Sequence, residues 1–331
     1  MSAPRTALVT GCSGQDGGLA AELLKSEGYV VVGTTRPGSG KTGSAGAVDA
    51  WVEWDGLDQA STDRIIDEVG PDEVYNFAAF TSGQGMWADP VGIGEVNGLA
   101  VARLLEAVRR IRPEARVAQA SSSEVFGRAT RSPQDESARR DPRSPYGAAK
   151  LYADTMVALY RDHYDLFACA AILFNHESVR RGPGFVTRRI SRGAASISLG
   201  LADSLMLGDL DARRDWGYAG DHVRAMWLML QADEPQDYVI ATGTSHSVRD
   251  LCRFAFEHVG LDYTQYVGTD SAAYRAPEAV PLVGDIGKAR RVLEWAPQVE
   301  LETLMHEMVE HDLALLRRKT ATDDGASNDP R

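Results

Sequence analysis

Short apolar runs recur along this chain near residues 6–10, 29–34, 51–54, 73–78, 115–120 and 167–173. Their length and their bounding glycines and polar residues predict strands. Between them, apolar positions fall at helical spacing near 17–27, 58–69, 94–111 and 146–164. Strand and helix therefore alternate through the first half. That alternation predicts βαβ units and a parallel sheet covered by helices on both faces. Past about residue 175 it loosens. There, PQDYVIATGTSHSVRDLCRFAFEHVG reads as strand, turn and a helix capped by Ser247.

The loops between the runs differ in character. Residues 37–48, PGSGKTGSAGAV, are rich in Gly and Ser and predict a mobile loop. GSGKTGSAG superficially resembles a phosphate loop. Its Gly-Lys lacks the preceding glycine at the required spacing, and no helix follows, so that role is set aside. The last 13 residues, KTATDDGASNDPR, are polar and predict a disordered tail over 319–331.

Composition narrows the function classes. The chain has 331 residues, 44% hydrophobic and 25% charged, enough for one large α/β unit or two packed lobes. A formal net charge of −12 argues against nucleic acid and anionic membranes as partners. Local arginine clusters could still bind an anionic ligand. No apolar run approaches the ~20 residues of a membrane span, and MSAPRTALVT runs into the first strand without a visible signal peptide. Cys12, Cys169 and Cys252 have no metal or disulfide spacing. Cys169 and Cys252 read as buried small hydrophobes and Cys12 as a loop residue, and a reducing cytoplasm is expected.

The first strand enters Gly11-Cys12-Ser13-Gly14-Gln15-Asp16-Gly17, and a helical pattern follows. Glycines at 11, 14 and 17 between strand and helix suit a dinucleotide. Gly11 permits the tight turn, Gly14 lets the backbone approach a pyrophosphate, and Gly17 packs helix on strand. The expected fold class is thus α/β, a Rossmann doubly wound parallel sheet with a smaller C-terminal α/β lobe. The second strand ends at Arg36, with no acid until Asp49. An acid near this point would bind a ribose 2′-hydroxyl, whereas an arginine accommodates a 2′-phosphate, so NADP is expected over NAD.

Tyr146 and Lys150 lie four residues apart in SPYGAAK, about 20 residues after Ser122 and Glu124 in SSSEVF. Residues at i and i+4 share a helix face. An ammonium held there is expected to lower the phenol below its free pKa of about 10. Alone the pair is weak, since surface tyrosines and lysines are common. Together with the nucleotide loop it points to a redox site.

At these residues the chain resembles the GDP-mannose 4,6-dehydratases, extended short-chain dehydrogenase/reductases, from residue 5 to about 316. The resemblance rests on TGCSGQDG, SSSEVFG, PRSPYGAAKLYA, ILFNHESVRRG, FVTRRI, LGDLDARRDWGYAGDHVRAMWLMLQ and DYVIATGTSHSVRD. It implies an NADP-dependent internal redox reaction on a GDP-sugar. C4 is oxidised, water leaves across C5 and C6, and the hydride returns to C6. The resemblance casts Tyr146 as acceptor of the O4 proton and Lys150 as its support on the nicotinamide ribose. Glu124 is the C5 base, and Ser122, where the family usually has Thr, binds O4. Cofactor contacts are implied at Gly11, Ser13, Gly14, Gln15, Asp16, Gly17, Arg36, Asp55, Ala78, Ala79, Tyr146, Lys150 and Arg181. Substrate contacts are implied at Thr81, Ser122, Asn175, Val186, Arg189 (usually Lys), Arg214, Arg275 and Glu278. No metal site is implied. The division implied is a nucleotide domain over 1–172, regaining a segment near 212–245, and a substrate lobe over 173–318.

Two stretches depart from the family. Its sugar-facing AAQS is here Ala78-Ala79-Phe80-Thr81, with Ser82-Gly83-Gln84 next, a wall that could admit another GDP-sugar such as a heptose. Arg36-Pro37-Gly38-Ser39 replaces an Arg-Arg-Ser-Ser stretch used between dimers, which favours a dimer built on the helices near 94–111 and 146–164 over a tetramer. An epimerase, a 4-ketoreductase and an idle nucleotide-sugar binder remain as alternatives. Glu124 favours the dehydratase over a simple reductase, and the complete set of four favours an enzyme over a binder.

Overall fold

The computed structural model describes residues 3–40, 46–81, 87–270 and 280–326. Its centre is a parallel sheet. The strands are β1 (Thr6–Thr10), β2 (Val30–Thr35), β3 (Ala50–Glu53), β4 (Glu73–Asn76), β5 (Arg116–Ala120), β6 (Ala168–Leu173) and, from much later in the chain, β10 (Tyr238–Ile240). Their order across the sheet is β10-β6-β5-β4-β1-β2-β3.

Single strands feed both faces. On β1, Ala7 and Val9 join the core under α1 (Gln15–Ser26) and α7 (Ala219–Gln231). Leu8 joins the opposite core under α2 (Gln59–Val69), α4 (Ala100–Ile111) and α5 (Pro145–Tyr164). This alternation on a strand buried from both sides is the physical content of a doubly wound sheet. The order reverses between β1 and β4, and the crevice beyond their carboxyl ends is where such sheets place ligands.

The second lobe carries β7 (Asn175–Glu177), β9 (Arg213–Tyr218) and β11 (Ser245–Ser247) as one small sheet. β8 (Leu205–Leu207) and β12 (Val267–Thr269) form another. Its core packs α6 (Val186–Ser198), α8 (Val248–His258) and α10 (Leu301–Ala326) around Trp216. Ser247 caps α8 through a reciprocal capping box with Asp250, 3.0 Å from the Asp250 amide. Cys169 and Cys252 are buried in the cores, and so is Cys12, although it sits in a turn.

Three features differ from the sequence pattern. The expected helix over 94–111 is α3 (Pro90–Gly94), a π turn over Glu95–Leu99, and only then α4. Two later segments pack back against the parallel sheet. α7 and β10 do so, but β9 and β11 flank them in the other lobe, while Leu282, Ile286, Leu293 and Trp295 come back around α9 (Gly287–Val292). The expected tail is helical as far as Ala326, because α10 continues from its buried anchors Met308, Val309 and Leu313.

Buried Asp215 on β9 holds the crossings between lobes. Its carboxylate accepts from the amides of Thr242 at 2.9 Å, Gly243 at 2.9 Å and Gly284 at 3.2 Å, and from the Thr242 hydroxyl at 2.6 Å. Asp215→Ala strands these donors and should cost about 3 kcal/mol or more. Urea denaturation measures this, and a loss below about 1 kcal/mol would contradict the assignment.

Candidate active site

The glycine loop closes over the carboxyl end of β1. Gly11 has φ 64°, and a Cβ there would lie 2.9 Å from the Ala78 amide nitrogen, so a side chain would collide with backbone beyond β4. Gly14 is the N-cap of α1 and supplies no capping side chain. The first amides of α1 thus face the crevice as the positive end of a helix. Ser13 and Gly14 are exposed, and Gly17 is buried in the first helical turn. Arg36 lies exposed just past β2. Asp55 is exposed past β3, its carboxylate accepting from the Leu57 amide at 3.0 Å. Glycine turn, helix end and terminal cation together fit a dinucleotide.

The helix starts at Gln15, two residues before the expected 17, so Gln15 and Asp16 occupy its first turn. Asp16 meets His176 Nε2 at 3.0 Å, and Gln15 donates to the His176 carbonyl at 3.1 Å. His176 stacks on His222 with ring centres 4.7 Å apart. Burial works to raise the Asp16 pKa, but the charge of and hydrogen bond to His176 override it and hold the carboxyl well below the carboxylate range. Burial would likewise lower His176, and Asp16 instead raises it. His222 is pushed down to about 3, by burial first and then by the His176 charge.

The second half of the site hangs on β5. After Ala120 the chain runs through Ser121 and Ser122 into a single 3₁₀ turn, Ser123–Val125, which carries Glu124. Ser122 caps that turn, accepting from the Glu124 amide at 3.3 Å. α5 begins with Ser144 as cap and Pro145 in its first turn. A Cβ at Gly147 would sit 2.6 Å from the Glu124 carbonyl oxygen. Glycine therefore lets the helix start abut the turn, bringing Tyr146 beside Ser122 and Glu124. The Ser122 hydroxyl hydrogen-bonds to the Tyr146 phenol.

Lys150 is one turn further on and buried at 2% exposure. Its ammonium donates to the Ala120 carbonyl at 2.7 Å and lies 5.7 Å from the centre of the Tyr146 ring. Burial pushes Tyr146 up to about 12, with Ser122 and Arg181 pulling downward and Glu124 and Asp16 upward. Burial brings Lys150 down to about 8, opposed by Asp154 and Asp16.

A buried polar chain joins the two halves. The Thr10 hydroxyl donates to Asn76, the Asn76 amide to Gln119 at 2.6 Å, and the Gln119 amide to the Ala120 carbonyl at 2.7 Å, the same oxygen that receives Lys150. Thr10 also accepts from the Ala78 amide at 3.1 Å, next to partly buried Ala79.

The remaining candidates are spread around the crevice and the second lobe. Asn175 is opposite Trp216 in the β7–β9 pairing, two residues from Arg214, whose guanidinium donates to the Arg213 carbonyl at 2.6 Å. Arg181 lies 3.0 Å from buried Glu177 and stacks 3.6 Å from the centre of the Phe185 ring. Val186 opens α6, and Arg189, one turn along, is exposed and donates to the Met206 carbonyl at 2.6 Å. Phe80 and Thr81 are exposed past β4; the Phe80 amide donates to Asn97 Oδ1 in the π turn at 2.9 Å, and Asn97 Nδ2 donates to the Phe80 carbonyl at 3.2 Å. Arg275, Glu278 and Ser82–Gln84 are outside the described residues. Sequence reasoning missed His176, Asn97 and Gln119. Only His176 carried a signal, as the neighbour of Asn175.

Comparison with known proteins adds an independent line. The family model described as GDP-mannose 4,6 dehydratase matches residues 8–308. The chain is 42% identical to GDP-mannose 4,6 dehydratase of Homo sapiens, over 96% of this chain and 94% of that protein. It is 41% identical to GDP-mannose 4,6 dehydratase 2 of Arabidopsis thaliana, over 99% and 92%. Among solved structures, the UDP-glucose 4-epimerase of Thermus thermophilus in complex with NAD matches with a TM-score of 0.80 at 25% identity, covering 93% of this chain and 98% of that one.

The Asp16–His176 pair makes a pH-dependent prediction. A histidine whose folded pKa is raised contributes stability that is complete below its unfolded pKa and lost as pH rises through the folded one. His176→Gln should therefore cost more at pH 6 than at pH 9. Thermal melts at the two pH values measure it, and an equal loss at both would show that the pair is not charged.

Proposed function

The chain belongs to the GDP-mannose 4,6-dehydratase family, and from that premise we propose that Ser122, Glu124, Tyr146 and Lys150 remove water from GDP-mannose to give GDP-4-keto-6-deoxymannose. The enzyme is a nucleotide-sugar hydro-lyase that works with a nicotinamide dinucleotide. One observation carries the assignment of roles: the 3₁₀ turn holding Glu124 abuts the helix start holding Tyr146, with Ser122 hydrogen-bonded between them.

When bound, the nicotinamide supplies hydride chemistry, taking a hydride from C4 of the sugar and returning it at C6. The protein's groups manage the protons. Tyr146, once its own proton has been released, takes the O4 proton as C4 is oxidised, and Ser122 hydrogen-bonds O4. The C4 ketone makes the C5 proton acidic, and Glu124 removes it. Glu124 then protonates the departing C6 hydroxyl, the C6–O bond breaks and a C5–C6 double bond forms. Hydride at C6 and the proton held by Tyr146 at C5 complete the product and restore the phenolate. Lys150, tied to Ala120, would hold the nicotinamide ribose. A reductase has no use for a C5 base, so Glu124 favours the dehydratase reading.

Arg36, exposed past β2 with no nearby acid in sequence, supports NADP as the cofactor form. Arg214, Asn175, Val186, Arg189, Thr81, Arg275 and Glu278 are assigned to the GDP-sugar on family resemblance, and Asp55, Ala78, Ala79 and Arg181 to the cofactor. Phe80, 43% exposed where the family has Gln, supports a second reading, the same reaction on a larger GDP-sugar such as a heptose. Val91 on α3 is 73% exposed and Leu159 on α5 is 53% exposed, on helices that pack together. That apolar face supports a homodimer formed by a second copy of the same surface. Three free, buried cysteines suit a cytoplasmic location.

Incubating the protein with GDP-mannose and NADP⁺ should give loss of one water by mass spectrometry without accumulation of NADPH. Turnover of GDP-heptose alone would move the substrate to the second reading, and no turnover of either sugar would sink the dehydratase. Tyr146→Phe and Glu124→Gln should each lower kcat by about 10²–10⁴-fold with KM little changed. Val91→Glu with Leu159→Glu should shift the protein to monomer in sedimentation, and an unaltered dimer would place its interface elsewhere.

A further inference from the structure

Tyr146, Lys150 and Asp154 recur at four-residue intervals on one face of α5. Each meets one of three consecutive residues at the end of β5. Tyr146 hydrogen-bonds with Ser122, Lys150 donates to the Ala120 carbonyl at 2.7 Å, and Asp154 accepts from the Ser121 hydroxyl at 2.7 Å. The Asp154 side chain is 0% exposed. Its Oδ2 also lies 3.3 Å from Arg140, while its Oδ1 has no hydrogen-bond partner among the described residues. A carboxylate buried with one oxygen unmatched is costly, and an apolar residue would pack there more favourably. Among the described residues its hydrogen bonds are those to Ser121 and Arg140.

We propose that Asp154 is a positioning residue for Lys150: through Ser121 it fixes the strand end that bears both the Lys150 acceptor and Ser122, and its charge keeps the buried ammonium protonated. The proposal rests on the reading that Lys150 contacts the cofactor. The groups facing the pair are Arg140 ahead of α5, Asp16 of α1 and Asp237 ahead of β10. Asp16 supports the lysine charge, Arg140 favours ionised Asp154, and Asp237 opposes it. Burial raises Asp154 to about 7 and lowers Lys150 to about 8, and each charge opposes the effect of burial on the other. Lys150 loses its proton as pH rises, and removing the Asp154 charge makes it do so at lower pH.

The test is NADPH binding, followed by its fluorescence from pH 6 to 9.5, which needs no sugar substrate. Wild type should lose affinity above about pH 8, following Lys150. Asp154→Asn keeps the shape and removes the charge, so the alkaline edge should move down by about one pH unit. The alkaline edge of kcat should follow it, and Asp154→Glu should restore both. If Asp154→Asn does not fold, the smaller neutral Asp154→Ser reads the same edge. An edge lost in Lys150→Met but unmoved in Asp154→Asn overturns this proposal alone. An edge that survives Lys150→Met overturns the reading of Lys150 and this proposal with it, and leaves the dehydratase assay to stand or fall separately.

Discussion

Burying an ammonium at the end of a sheet constrains everything around it. Lys150 is almost wholly removed from water, and its hydrogen-bond partner in the protein is the last carbonyl of β5. Such a charge is tolerated only where acceptors and counter-charges are already in place. The Ala120 carbonyl must therefore project from the sheet toward α5, and α5 must start at a height that presents Lys150 to it. Ser144, Pro145 and Gly147 set that height, by capping the helix, opening its first turn and allowing contact with the turn that bears Glu124. The placement of Tyr146 follows from the placement of Lys150.

The same carbonyl links this half of the site to the nucleotide loop. Gln119 shares it and passes the connection through Asn76 to Thr10, the last residue of β1. These side chains are buried at the carboxyl ends of neighbouring strands, where unmatched polar groups would be expensive. Satisfying them requires the three strands to end in fixed register, which holds the crevice at a set width. Asp16 and His176 make a second connection, from the first turn of α1 to β7 in the other lobe. An acid at the positive end of a helix is favourable by itself. Here it also binds a histidine that precedes Glu177, so the loop and the second lobe are joined by a charged contact.

How legible this was depended on range. The strands and most helices follow from local periodicity, since a strand buried on both faces cannot avoid an apolar run. The glycine turn and the Tyr146–Lys150 spacing are also local, and so is the i+4 position of Asp154. The π turn over Glu95–Leu99 was hidden, because one wide turn leaves the composition of an apolar helix unchanged. Asn97 in that turn bonds the backbone of Phe80, 17 residues away, a partner that local spacing does not show. The Asp16–His176 pair spans 160 residues and has no local trace. The helical end of α10 was misread because its polar residues follow anchors that lie a few turns earlier.

Spacing alone does not set the charge environment of Tyr146. Sharing a helix face with a lysine says that the two are near, not where the ammonium points. The lysine charge is directed at Ala120, and the phenol faces Ser122 with Glu124 close by, so burial wins and the pKa rises to about 12. The phenol must release its proton before it can accept the one from O4, and burial makes that release costly until a counter-charge is in place. The cations that remain near the phenol then act on charge as it develops, which is when stabilisation changes a rate. Arg181 is such a cation, and Glu177, which pairs with it, lies on β7 next to His176. Charge at the phenol is thus tied to the same strand that Asp16 joins to the glycine turn.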